Sequence, residues 1–221
     1  MILFSKILYF LFVGNAVSAA GDIASQKFEV ISGAVSSYMG YNYLSISLSY
    51  FINNSMACTV ILLAFSLVAY LYKKDIANNR SSFEDYLNAM ILFYTIVVIN
   101  PLTGIVGYGI NIKDILIILP HGIFEFAGFA LSAVMGITIA DKILPIISGE
   151  HKNEKKGKNK KQFINLVDIL KIVMIFIFIG IAASLEPLDW LIYEYAKYNN
   201  LNIIQAIIEV YKQLIYNIFK I

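Results

Sequence analysis

A histidine and a glutamate lie four residues apart in a strongly apolar stretch of this chain. His121 and Glu125 belong to the run from Pro120 to Gly136, and side chains four apart on a helix lie on the same face. An imidazole beside a carboxylate can share a proton or bind a cation. Ionisable groups inside a membrane-spanning helix are costly, and they normally mark functional sites. The pattern therefore indicates a buried polar site in a membrane protein.

The helix face that carries this pair continues beyond Glu125. At about 100° per residue, the same face collects small residues, whereas bulky apolar side chains such as Ile123, Phe126 and Val134 lie opposite. Small residues four apart let a neighbouring helix approach closely. We therefore predict that this face points into a helix bundle. The residues of the predicted helix-packing motif are Pro120, Gly122, Gly128, Ser132 and Gly136.

The composition indicates a protein made mainly of membrane-spanning helices. Of the 221 residues, 59% are hydrophobic and 14% are charged, whereas a soluble domain is about half apolar and a quarter charged. The apolar residues are concentrated in runs of about 20, the length that crosses a hydrocarbon core. Cys58 is the single cysteine, so the chain forms no internal disulfide and no cysteine-based metal site.

These runs predict an all-α, polytopic helical membrane bundle that forms a single membrane domain over residues 1–221. A hydrophilic, lysine-rich loop is expected over 141–162, and the tail 186–221 ends in an amphipathic helix that we expect to lie on the membrane. The first span has a secretory signal peptide as its alternative, and retention as an anchor is favoured. The five predicted spans cover about 2–20, 54–72, 84–106, 114–140 and 163–185.

Local signals add detail between these spans. Residues 21–52 contain no clean apolar run, which predicts an external, partly interfacial helical segment. Ser81 and Glu84 have capping-box spacing, which predicts the start of the third span. Pro120 is expected to divide the fourth apolar block into a short outer segment and a helix that begins at the proline itself.

The distribution of basic residues predicts the orientation. With the N-terminus in the cytoplasm, twelve of the seventeen Lys and Arg residues fall on the cytoplasmic side, seven of them in the loop 141–162. The positive-inside rule then places the protein in the cell membrane with the N-terminus cytoplasmic and the C-terminus external. Such a loop can bind anionic headgroups or an acidic partner, although a solvated topology signal is the more usual role.

This orientation brings polar residues from three spans to the outer side. Asn53 and Asn54 begin the second span, His121 and Glu125 lie in the outer half of the fourth, and Glu186 ends the fifth. We predict one hydrogen-bonded cluster from these residues. The cluster either binds an ion or proton or serves only as a polar clamp that sets helix register.

The order of three short motifs resembles the stage II sporulation protein M family. The motifs are FINN at residues 51–54, PHGIFE at 120–125 and ASLE at 183–186. The resemblance implies an all-helical membrane bundle. In sporulating bacteria the family member works in a membrane complex with cell-wall hydrolases, so the resemblance also implies a scaffold or subunit role here.

Other classes of function receive little support from the sequence. A zinc protease motif needs two histidines and a base, but the second histidine, His151, lies in the lysine-rich loop. The segment IVGYG at 105–109 has isoleucine where a potassium filter has threonine. No serine elbow, phosphate loop or Cys–His pair is present. We therefore predict no enzyme activity, no catalytic or metal site, no cofactor and no nucleic-acid partner.

Two functions follow from these observations. The first is a non-enzymatic scaffold or subunit of a membrane complex, whose partners are the lipid bilayer and either another membrane protein or a second copy of the chain. The alternative is a transporter or channel component in which His121, Glu125 and Glu186 bind an ion or relay protons.

Overall fold

The computed structural model describes residues 26–94, 112–144 and 165–219. Within these residues the chain is helical and contains no β-strand, which confirms the all-α class for this part of the chain. The helices are α1 (26–39), α2 (Tyr43–Ala77), α3 (83–94, where the described segment ends), α4 (Ile112–Ile143), α5 (Leu166–Leu185), α6 (Leu188–Tyr198) and α7 (Ile203–Phe219).

Three stretches are long and apolar enough to cross a membrane, namely Tyr43–Ala77, Ile115–Ile143 and Leu166–Tyr198. They correspond to three of the five predicted spans. The predicted span 2–20 lies outside the described residues, and the span 84–106 is described only as far as residue 94. Most of the predicted lysine-rich loop also lies outside the described residues.

Four helices begin with the same reciprocal pair of hydrogen bonds. In each pair, the first side chain accepts from the backbone N–H three residues later, and that residue's side chain accepts from the first residue's N–H. This arrangement satisfies backbone donors that lack a partner in the first turn. The pairs are Asn42 with Ser45, Ser82 with Asp85, Asn165 with Asp168, and Asn202 with Gln205.

The capping box predicted at Ser81 and Glu84 is therefore wrong by one residue. Because α3 begins at residue 83, its cap is Ser82, and Asp85 supplies the returning acceptor. The Asp85 carboxylate also accepts from the Ser82 hydroxyl at 2.7 Å.

The start of the second span was also predicted too late. α2 begins at Tyr43 rather than near residue 54, because buried serines interrupt the apolar pattern without interrupting the helix. The Ser45 hydroxyl donates to the Asn42 carbonyl at 2.8 Å, and the Ser49 hydroxyl donates to the Ser45 carbonyl at 2.7 Å. Serines that bond to their own helix in this way are satisfied inside an apolar environment.

Pro120 does not divide the fourth apolar block. α4 runs without interruption from Ile112 to Ile143, with Pro120 inside it. Proline removes one backbone donor, but membrane helices tolerate this loss because other groups satisfy the freed carbonyl. The prediction of a separate outer segment that ends near Leu119 is therefore wrong.

The described residues form two compact units, and α2, α4 and α5 contribute to both. Unit 1 takes its residues from Met1–Asn53, Thr103–Glu125 and Ile179–Ile221, and unit 2 from Asn54–Leu102 and Phe126–Phe178. Unit 1 contains α1, α6 and α7 as well. Unit 2 contains α3.

Unit 2 shows why the small residues of α4 matter. Gly128, Ser132 and Gly136 are buried, whereas Phe126 and Val134 are exposed. The residues that form the buried core of the unit are Phe65, Ala69, Tyr86, Met90, Ala133, Ala140 and Leu144.

An ion pair joins the ends of α4 and α5 within unit 2. The Lys142 ammonium donates to the Asp168 carboxylate at 2.5 Å. Lys142 was assigned to the hydrophilic loop, but it lies in the last turn of α4. There its positive charge also complements the carbonyl end of the helix.

Substitution of Gly136 should destabilise the protein. A Cβ at this position would lie 2.9 Å from Phe65 Cδ2 and 3.2 Å from the Leu62 carbonyl oxygen, which is too close for either to remain in place. We expect G136A to cost about 1–3 kcal/mol and G136L to abolish most of the folded yield. Thermal unfolding in detergent and size-exclusion chromatography measure both effects.

Gly122 provides the matched control on the same helix. There the nearest atom to an added Cβ is Ile118 Cγ2, at 3.4 Å, so G122A should fold normally. If G136A and G122A behaved alike, close helix approach at Gly136 would be contradicted.

Candidate functional site

The polar residues of unit 1 gather where the middle of α4 meets the junction between α5 and α6. His121 and Glu125 come from α4, Glu186 follows the last residue of α5, and Asp189 lies in the first turn of α6. We call these four residues the acidic cluster. It holds three carboxyl groups and one imidazole.

His121 and Asp189 form the closest pair in this cluster. His121 Nδ1 lies 3.4 Å from Asp189 Oδ2, and His121 is only 4% exposed. The contact joins α4 to α6. An imidazole and a carboxylate at this distance can share a proton. When the proton is on the imidazole, the two groups carry opposite charges and attract each other.

The two glutamates lie near one another and near Asp189. The charge of Glu186 interacts with those of Glu125 and Asp189, and Glu125 interacts with His121. Tyr50 of α2 interacts with all three carboxyl groups. Like charges this close repel strongly when they are withdrawn from water, so full ionisation of the cluster is costly.

Several polar atoms of the cluster are buried without a hydrogen-bond partner among the described residues. They are Glu186 Oε2 and Asp189 Oδ1, together with Tyr211 Oη of α7 beside them, whereas His121 Nδ1 makes the 3.4 Å contact with Asp189. Buried polar groups are nearly always satisfied, and an unmade hydrogen bond costs free energy. These atoms are therefore the costliest part of the cluster to bury.

Two tyrosines border the cluster from other helices. Burial, with the charge of Asp189 as a second cause, raises the pKa of Tyr211 to about 12, so its hydroxyl stays a donor through the physiological range. Tyr43 interacts with Tyr211, and its own hydroxyl donates to the Ser184 carbonyl at the end of α5.

α1 packs against the neighbouring part of α2. The Phe28 ring stacks on the Tyr50 ring with centroids 4.5 Å apart, and the Lys27 ammonium donates to the Asn53 carbonyl at 3.1 Å. Burial lowers the pKa of Lys27 below its usual value. α1 therefore holds Tyr50, which faces the cluster, in place.

Of the residues in the predicted cluster, His121, Glu125 and Glu186 lie near one another in unit 1. Asn53 belongs to the same unit, whereas Asn54 is the first residue of unit 2. Asn54 is buried at 5% exposure, and its share in the cluster stays a prediction. Of the helix-packing residues, Pro120 and Gly122 lie in unit 1. Gly128, Ser132 and Gly136 lie in unit 2.

Sequence reasoning missed Asp189 and Tyr50. The signal for Asp189 is its position three residues after Glu186, but the predicted external tail 186–221 leaves it outside the fifth span. Tyr50 lies three residues before Asn53 and so on nearly the same face of α2. It falls in the stretch 21–52, for which the sequence predicts an external, partly interfacial segment.

Within the described residues, no group of three or more His, Cys, Asp or Glu side chains is arranged to hold a metal ion. Proton transfer makes a different demand, since it needs one donor and one acceptor within reach. The His121–Asp189 contact supplies such a pair.

The fold and the cluster define a helical membrane protein with a buried acidic site. The chain is 37% identical over 218 residues to the uncharacterized protein MJ0096 of Methanocaldococcus jannaschii, and the match covers 95% of this chain and 79% of that protein. The chain belongs to the same family as this archaeal protein. No protein-family profile matches it, and no solved structure matches it.

Removal of one acid from the cluster should stabilise the protein at high pH. We expect E186Q to raise the midpoint of thermal unfolding in detergent at pH 8 by about 2–4 °C, equivalent to roughly 1 kcal/mol, because it removes a carboxyl group whose charge is disfavoured first by burial and then by repulsion from Glu125 and Asp189. At pH 5 the gain should vanish, since protonation already removes that repulsion.

Glu194 is the matched control for this measurement. It is exposed on α6, so E194Q should leave the midpoint unchanged at both pH values. A lower midpoint for E186Q at pH 8 would show that the Glu186 charge is stabilised by its surroundings, contrary to the repulsion argued above.

Proposed function

We propose that the protein is the proton-conducting component of a membrane transporter or channel, with the acidic cluster as its proton-binding site. The proposal is carried by one observation. Three carboxyl groups and one histidine from two chain segments lie together in unit 1, with buried polar atoms that lack hydrogen-bond partners among the described residues. Ionisable groups with these properties, in helices that can cross a membrane, are typical of proton pathways.

The roles within the site follow from the contacts. His121 and Asp189 exchange a proton across the contact between α4 and α6. Glu125 and Glu186 store protons, because their mutual repulsion disfavours the fully ionised state. With the N-terminus cytoplasmic and the C-terminus external, as the distribution of basic residues predicts, the cluster lies toward the external side of the cell membrane.

Proton flux through liposomes tests this proposal. Purified protein is reconstituted with an entrapped pH-sensitive dye, and a potassium diffusion potential drives protons inward. We expect wild-type liposomes to acidify faster than empty ones, and E125Q to lower the rate about tenfold or more, as expected for loss of a proton-relay group. E194Q, on the exposed side of α6, should conduct like the wild type.

Two outcomes would contradict proton conduction. One is a wild-type rate no greater than that of empty liposomes. The other is an E125Q rate equal to that of the wild type, provided that both proteins give the same chromatographic profile.

The second candidate function is a non-enzymatic scaffold or subunit of a membrane complex. It is favoured by the motif order that resembles the stage II sporulation protein M family, with FINN, PHGIFE and ASLE in sequence. In this case the acidic cluster sets helix register, and the specific function resides in a partner protein.

Mild crosslinking in native membranes, followed by mass spectrometry, tests the scaffold. A stoichiometric partner that remains bound to E125Q would support it, because the cluster would then not be needed for assembly. Recovery of the tagged protein alone would contradict it.

A further inference from the structure

We propose that the hairpin formed by α6 and α7 is an interfacial anchor, set where the hydrocarbon core of the membrane meets the phospholipid headgroups. The partner of its outward surface is then the lipid bilayer. From the sequence, only the terminal helix is expected to lie on the membrane. The structure adds α6 and identifies the face of each helix that meets lipid. This contact does not depend on proton conduction.

The apolar stretch that contains α6 is too long for the hydrocarbon core alone. Leu166–Tyr198 has 33 residues, whereas about 20 helical residues cross a core roughly 30 Å thick. Part of the stretch therefore lies outside the core. Glu194 and Lys197 are exposed on α6, and charges exposed to hydrocarbon are costly. The core therefore ends before Glu194.

The exposed aromatic residues of α6 lie at this boundary. Trp190 precedes Glu194 by about one turn and is 70% exposed, and Tyr198 follows it by about one turn and is 90% exposed. Tryptophan and tyrosine are enriched at membrane–water interfaces, because each ring has an apolar body and a polar tip. The aromatic face is turned away from the protein, since the buried residues of α6 are Leu188, Ile192 and Ala196.

α7 carries an exposed apolar strip beside the one that packs within unit 1. Ala206 and Val210 belong to the buried core there. Ile204, Ile208 and Ile215 are each more than half exposed, and at about 100° per residue they lie within about 40° of one another around the helix. We call these three residues the isoleucine ridge.

The polar residues of α7 form a separate strip. Gln213 is exposed and lies about 160° around the helix from the centre of the ridge. The Lys212 ammonium lies 3.9 Å from the Glu209 carboxylate, so these two charges face each other in the same strip. A helix with large apolar residues on one side and charged residues on another is suited to lie in the plane of the interface.

Continuity with a membrane-spanning helix favours lipid as the partner over another protein. Ile181 of α5 is exposed and belongs to the same apolar stretch as α6, so it meets acyl chains. Trp190 follows nine residues later in that stretch. The layer of the membrane next to the acyl chains is the headgroup layer, and the mixture of aromatic and charged residues on α6 is typical of that layer.

The fluorescence of Trp190 tests the anchor without any substitution, because the chain contains a single tryptophan. The full-length protein is reconstituted into phosphatidylcholine vesicles whose acyl chains carry bromine either near the headgroup or near the chain end. Bromine quenches tryptophan only at short range. We expect the shallow bromine to quench Trp190 about twofold or more relative to the deep bromine, as for a ring at the interface.

Phe126 supplies the matched control for depth. It is 41% exposed and lies near the middle of the apolar stretch Ile115–Ile143. In the double variant W190F/F126W, the single tryptophan should be quenched more by the deep bromine than by the shallow one, because the middle of a span lies near the centre of the bilayer.

Two further single-tryptophan variants test the orientation of α7 in the W190F background. I208W places the probe on the isoleucine ridge, and Q213W places it on the polar strip. We expect the shallow bromine to quench I208W about twofold or more relative to Q213W, and water-soluble acrylamide to quench Q213W more. Equal quenching of both variants by bromine would contradict lipid contact at the ridge.

Three results for Trp190 overturn the anchor. Equal or stronger quenching by the deep bromine would place α6 in the hydrocarbon core. Quenching by acrylamide but not by bromine would place the hairpin in water. Quenching by neither would show that a second copy of the chain or another protein covers Trp190. Proton flux through liposomes is measured separately, so the anchor and proton conduction can fail independently.

Discussion

Polar groups that enter an apolar environment must be satisfied by the chain itself, and this constraint shapes every described helix. The reciprocal pairs that begin four helices satisfy backbone donors, and Ser132 donates back to the Gly128 carbonyl at 2.9 Å. The acidic cluster departs from this pattern. Its buried atoms without partners among the described residues come from both sides of the contact between α4 and α6, so no local turn can supply their partners.

The two prolines of the site region show how context decides the outcome. Pro120 lies inside α4, which continues on both sides, whereas Pro187 lies at the break between α5 and α6. After Pro187 the backbone turns tightly, and the Asp189 N–H donates to the Glu186 carbonyl at 3.1 Å. That turn brings together Glu186 and Asp189, which are three residues apart in the sequence. Proline chemistry alone does not distinguish these outcomes, because both residues lack the same donor.

The sequence predicted the parts of the site that depend on helical periodicity. The spacing of His121, Glu125 and Gly128 placed one face of α4 correctly, because that face follows from residue type and angle alone. Asp189 could not be placed in this way. Its position depends on the turn after Glu186 and on the packing of Ile192 against Ile117, which are tertiary contacts. The start of α2 was predicted too late because a hydropathy pattern does not show that the serine hydroxyls donate hydrogen bonds to backbone carbonyls of their own segment.

The charge balance of the acidic cluster limits what it can do. Three acids face one base, so complete ionisation leaves a net charge of −2 even with His121 protonated. The number of protons held at any pH is then a property of the group and not of a single residue. Replacement of one acid changes the proton occupancy of the other two. A polar clamp gains nothing from such an excess of acids, since one acid would pair with the histidine equally well.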